Sequence, residues 1–142
     1  MRIEAATAAT PELLEALQHL LPQLNPQAHP LTMERLQNVV ADPATTLLVV
    51  REDSRIVGTA TVLHHRTPVS IKSRIEDVVI DEGVRGQGAG EALVRHCIEV
   101  AREHGAEIVE LQSARWREAA NRLYPKLGFQ LRESNAYRLT LK

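Results

Sequence analysis

Leu13, Leu14, Leu17, Leu20 and Leu21 recur at helical spacing behind Thr10-Pro11-Glu12. A threonine able to cap, a proline whose fixed φ suits the first turn, and an acid near the positive end of the dipole predict a helix starting there. The strongest helical pattern covers residues 90–104. Leu93, Val94, Cys97, Ile98 and Ala101 share one face, Glu91, Arg95, Glu99 and Arg102 the other, and Gly105 ends it. Residues 117–127 place Ala119, Ala120, Leu123, Tyr124 and Leu127 on one face, and residues 32–41 form a shorter helix stopped by Asp42-Pro43. Strands are predicted over residues 1–6, 46–51, 55–63, 74–80, 106–112, 129–132 and 137–141. The second and third of these flank the polar turn Glu52-Asp53-Ser54 as a hairpin. Residues 22–30 contain Pro22, Pro26 and Pro30 and predict a loop. The resulting order, β-α-α-β-β-β-α-β-α-β-β, belongs to the α/β class. Its middle strand-helix-strand unit implies one parallel pairing inside a mixed sheet.

The chain has 142 residues, 44% hydrophobic and 25% charged, which fits a single domain over residues 1–142 with a core of its own. Seventeen Lys plus Arg against eighteen Asp plus Glu leave a net charge of -1. Neither a nucleic-acid partner nor a membrane surface is expected, because both need a basic field. One cysteine excludes an internal disulfide framework and a cysteine-rich zinc site, so no metal is expected. The longest aliphatic run, Leu47-Leu48-Val49-Val50, is too short for a membrane span, and the charged N-terminus does not read as a signal peptide. A cytoplasmic protein is the expectation.

The chemistry concentrates in residues 75–91, IEDVVIDEGVRGQGAGE. A strand runs into Arg85-Gly86-Gln87-Gly88-Ala89-Gly90, and the long helix begins there. Glycines at alternate positions let backbone N–H groups approach an anion, the helix dipole favours negative charge, and Arg85 adds a guanidinium fork. The segment suits a diphosphate. It is not a dinucleotide fingerprint, since Glu91 stands three residues after Gly88, and it is not a nucleotide P-loop, since Ala89 follows Gly88.

These residues resemble the GNAT superfamily of N-acetyltransferases. Arg85-Gly86-Gln87-Gly88-Ala89-Gly90 matches its acetyl-CoA signature, and Leu123-Tyr124-Pro125-Lys126-Leu127-Gly128-Phe129 matches its second motif, in the family's order. The resemblance implies the GNAT fold: a mixed, mostly antiparallel twisted sheet flanked by helices, with a central β-α-β acetyl-CoA-binding unit. It implies acetyl-CoA as co-substrate. Val78, Val79 and Ile80 would offer backbone groups to the pantetheine arm. The amides of Gly86, Gln87, Gly88, Ala89, Gly90 and Glu91 would hold the pyrophosphate with Arg85. Tyr124 would protonate the departing thiolate. Arg117 departs from the family at the position seven residues before Tyr124, where Asn is frequent; it would reach a CoA phosphate or only start the helix. For the general base, Glu76 is the first candidate; strand alternation puts Asp77 on the opposite face.

The run Ile75-Glu76-Asp77-Val78-Val79 also resembles the matching strand of glucosamine-6-phosphate N-acetyltransferases. Their loop commonly carries Lys-Gln-Leu where this chain has Gln87-Gly88-Ala89, so the sugar phosphate is not carried over. The expected activity is direct acetyl transfer to the primary amine of a small molecule or peptide. The alternative is a catalytically idle acyl-CoA sensor or complex subunit, and a homodimer is a further expectation of the resemblance. Cys97 reads as a small core residue rather than a nucleophile. His64 and His65 read as a solvated strand end. Trp116 reads as a cleft wall, a partner-facing ring or a packing residue. Glu110 and Gln112 share a strand face. Pro125 is expected to kink its helix.

Overall fold

The computed structural model describes residues 1–142. They divide into two units, residues 1–112 and residues 113–142.

The first unit contains β1 (Arg2–Ala5), α1 (Pro11–Leu24), α2 (Met33–Ala41), β2 (Thr45–Glu52), β3 (Arg55–Arg66), β4 (Ile71–Ile80), a 3-10 turn (Glu82–Val84), α3 (Ala89–Glu103) and β5 (Ile108–Leu111). The five strands lie in sequence order. β1 to β4 are antiparallel neighbours, and β4 pairs with β5 in parallel through the crossover helix α3. Leu47, Leu48, Val49 and Val50 are all buried, because helices cover both faces of the sheet. Leu47 and Val49 pack with Leu13, Leu17 and Leu36 of α1 and α2. Leu48 and Val50 alternate to the other face. α3 packs against β2, β3 and β4, with Leu93, Val94, Cys97 and Ala101 fully buried.

Sequence and structure part in two places here. α1 runs through Pro22 to Leu24, so the expected loop begins later than residue 22. A proline in a last turn forfeits one hydrogen bond to the preceding turn, which this helix end tolerates. β4 also starts at Ile71, before the expected residue 74, and completes a long hairpin with β3.

His64 is not a solvated strand end. Its ring nitrogens share hydrogen bonds with Thr46 Oγ1 at 3.0 Å and Ser73 Oγ at 2.9 Å, and its ring stacks on His104, with centroids 3.6 Å apart. It ties β2, β3 and β4 to the end of α3. Desolvation, and then the neighbouring His104, lower its pKa from 6.5 to about 4. The unfolded chain therefore binds the extra proton between those values. Stability is fully present above about 6.5 and declines as pH falls towards 4. Thermal melts across this window should show a shallower decline for His64→Gln than for the parent. Identical slopes would remove His64 as the group responsible.

The second unit holds α4 (Glu118–Lys126). The strands expected over residues 129–132 and 137–141 do not form; both segments carry no secondary structure. Leu131, Tyr137, Leu139 and Leu141 are all more than 80% exposed. An alternating pattern makes a strand only when a neighbouring strand receives its backbone hydrogen bonds, and none does here.

Candidate active site

The site begins with a break in the β3–β4 ladder. Thr59 stands opposite Val79 and Thr61 opposite Glu76, so Asp77 and Val78 together face the single residue Ala60. The extra residue is accommodated at Asp77, whose φ is +53°. This is a β-bulge, and it cancels the strict alternation on which the choice between Glu76 and Asp77 depended. Glu76 accepts a hydrogen bond from Arg74 Nε at 2.5 Å. Asp77 instead lines a cavity of about 260 Å³ between the sheet and the α1–α2 cover.

Asp77 is accessible to solvent, yet the protein around the cleft desolvates it. That is the condition of a carboxyl standing in a concavity. Desolvation first, and then the charge of Glu76, raise its pKa above the ordinary 3.8. The cavity's other walls come from Leu17, Leu21 and Leu24 of α1, Leu36 and Val39 of α2, Leu31 between them, and Leu47, Thr59 and Thr61 of the sheet. Periodicity marks Leu17 and Leu21 as core positions; it does not show that they border a cavity.

Past the bulge, β4 has a free side. β5 pairs only with Lys72 to Ile75, so Glu76 to Ile80 have a strand neighbour on the β3 side alone. Val79 and Ile80 bury their side chains while this backbone edge faces away from β3. Gly58 lets β3 lie against the same stretch. A Cβ there would stand 2.6 Å from Ile80 Cδ1 and 3.2 Å from the Val79 carbonyl oxygen. The sequence reading passed over Gly58, and its only signal was a glycine inside a strand pattern.

Arg85 follows the 3-10 turn and donates from Nε to the Ile80 carbonyl at 2.9 Å, folding the loop back onto the end of β4. Gly86 and Gly88 adopt φ of +84° and +83°, and a Cβ on either would meet nothing within 4 Å. α1 and α2 are capped by side chains: Thr10 Oγ1 accepts from the Leu13 amide, and Thr32 Oγ1 from the Arg35 amide. Gly88, the cap of α3, has no side chain to offer. An uncapped helix start behind an open two-glycine loop is a cradle that fits a diphosphate. Gln87, Ala89, Gly90 and Glu91 complete this segment, and the Glu91 carboxylate pairs with Arg95 at 3.2 Å. The loop's entrance is tied to α1, since Gln23 Nε2 donates to Asp81 Oδ1 at 3.2 Å and the Glu82 amide donates to Gln23 Oε1 at 3.0 Å.

In the second unit, Arg117 is the residue at which α4 starts. The helix continues through Pro125 to Lys126 and closes with the Phe129 amide donating to the Tyr124 carbonyl at 3.1 Å. Tyr124 is buried, with its ring edge-on to Phe129 at 5.8 Å. Trp116 is 77% exposed, which removes its packing reading. Glu110 pairs with Lys72 across β4 and β5 at 3.5 Å.

Cys97 is fully buried, and that burial pushes its thiol up to about 12. A thiol held neutral is a poor nucleophile. Cys97→Ala should keep its turnover and lose about 1 kcal/mol of stability. A stable but inactive Cys97→Ala protein would instead indicate a covalent acyl-enzyme.

A bulged strand with one open edge leads into an open glycine loop and an uncapped crossover helix, an arrangement of the α/β class that fits a ligand carrying a diphosphate. The family model described as Acetyltransferase (GNAT) family matches residues 11–129, and the chain belongs to that family. It is 33% identical over 128 residues to a glucosamine 6-phosphate N-acetyltransferase of Trypanosoma brucei brucei, covering 84% of this chain and 82% of that one. It is 30% identical over 114 residues to an uncharacterised N-acetyltransferase of Mycobacterium bovis, covering 77% and 68%. The solved structure of a Trypanosoma brucei acetyltransferase is similar over 99% of both chains, at 28% identity and a TM-score of 0.78. The protein is an N-acetyltransferase, and the expected fold and family both hold.

Proposed function

We propose that the protein transfers an acetyl group directly from acetyl-CoA to the primary amine of a small molecule, with Asp77 in the role first considered for Glu76. The observation that carries this reading is Asp77 itself. It lines the cavity and immediately precedes Val78, at the stretch of β4 that lacks a neighbour on one side. Acetyl-CoA supplies the activated acetyl thioester. Val78, Val79 and Ile80 offer it backbone groups along that open edge. Arg85 and the amides from Gly86 to Glu91 neutralise its diphosphate, and Arg117 contributes to a CoA phosphate. The amine arrives mostly as ammonium, and the raised pKa of Asp77 suits it to accept that proton. The freed nitrogen lone pair forms the new C–N bond as the C–S bond breaks. The Tyr124 phenol gives its proton to the departing thiolate, and the second proton that the acetylated nitrogen sheds restores the phenol.

Release of free CoA thiol with amino acids, polyamines, amino sugars and peptides tests this reading. At least one class should turn over. Tyr124→Phe should reduce kcat at least ten-fold with little change in acetyl-CoA affinity, because general acids contribute about 10²- to 10⁴-fold. Thiol release with no amine would overturn amine acetylation as the activity.

A further inference from the structure

The Asp77 cavity has a composition that selects its guest. Its helical cover presents mainly leucine, including Leu17, Leu21, Leu24, Leu31 and Leu36. Polar groups are few on the sheet wall. The Thr59 hydroxyl already donates to the Leu48 carbonyl at 2.8 Å, which leaves Thr61 beside Asp77. On the cover, Arg35 lines the rim, is exposed, and pairs with no carboxylate. Asn25 and His29, between α1 and α2, also line it, so the cavity has an anion on its sheet wall, a cation on its helical wall, and leucine side chains with these two polar residues between.

We infer that this cavity takes a small aliphatic amine that also carries an anionic group, the amine presented to Asp77 and the anion to Arg35. The inference rests on the acetyltransferase reading for what then happens to the amine. A volume of about 260 Å³ admits a small molecule and not a folded protein surface. An amino sugar carries more hydroxyls than Asn25, His29 and Thr61 can satisfy, so some would press against leucine and lose their hydrogen bonds to water. A diamine would put its second ammonium against the Arg35 guanidinium, so like charge disfavours polyamines. An apolar spacer between amine and anion satisfies all three surfaces.

The test compares 6-aminohexanoate, hexylamine, 1,5-diaminopentane, glucosamine and glucosamine 6-phosphate, by calorimetric binding and by CoA thiol release from acetyl-CoA. The expected order places 6-aminohexanoate first, about ten-fold above hexylamine, since one charge-assisted contact at an exposed rim is worth about that factor. The diamine and both sugars should rank below hexylamine. In Arg35→Gln the preference for 6-aminohexanoate over hexylamine should collapse towards unity. Arg35 is exposed, so the variant should fold as the parent does. Tighter binding of glucosamine 6-phosphate than of 6-aminohexanoate, no binding of any aliphatic amine, or an unchanged preference in Arg35→Gln would each overturn the inference. Binding in the expected order without thiol release would uphold the cavity's selectivity and overturn the transferase reading alone.

Discussion

Gly88→Val should abolish acetyl-CoA binding in a protein that still folds. Two effects act together. Gly88 has a φ of +83°, a conformation that costs a β-branched residue about 1–2 kcal/mol. The new side chain would also project into space where the native backbone meets nothing within 4 Å, the space the diphosphate needs. Titration calorimetry with CoA should show affinity weakened at least about 100-fold, the equivalent of roughly 2.7 kcal/mol. The thermal shift that CoA gives the parent should vanish with it. Gly83→Ala is the matched control. It lies in the preceding 3-10 turn, its Cβ would also meet nothing, and its φ lies outside the left-handed region. It should bind CoA as the parent does. Parent-like binding by Gly88→Val would place the anion cradle elsewhere.

Asp77→Asn should lower kcat/KM for the amine by about 10²-fold, within the range for loss of a general base. The amide keeps the size of the carboxyl and cannot accept the ammonium proton. In the parent, activity should fall as pH drops through the raised Asp77 pKa, because only the carboxylate is competent. That acidic limb should be missing from the variant. Stability should move the other way. A carboxyl whose pKa is raised by folding binds its proton more tightly in the native state, so its contribution is lost as pH rises above that value. Removing the charge should leave the variant at least as stable as the parent at neutral pH, which separates loss of the base from loss of the fold. Glu76→Gln, which removes the carboxylate bonded to Arg74, should have the smaller effect on kcat/KM. The reverse ranking would restore Glu76 as the base.

The elements built on local rules were legible from residues alone. Thr10-Pro11-Glu12 marked the start of α1 because cap, fixed φ and dipole act within one turn. The two-faced pattern from Glu91 to Arg102 marked α3, and the strand, glycine loop and helix around it implied the parallel β4–β5 pairing and the left-handed glycine turn between them. Helix capping, side-chain periodicity and left-handed glycine turns are short-range physics, so the chain states them directly.

Tertiary structure decided the rest. Pairing with β3 placed the bulge at Asp77, and one added residue was enough to break the alternation that set Glu76 and Asp77 on opposite faces. The same ladder required Gly58, since only packing against Ile80 makes its missing Cβ matter. Leu21 reads as core by period, yet the gap between α1, α2 and the sheet makes it a wall of a cavity. Residues 137–141 alternate as a strand would, but without a neighbour to take its hydrogen bonds that pattern forms none. Each of these depends on which groups distant in sequence come to lie opposite one another, and local propensity carries no information about that.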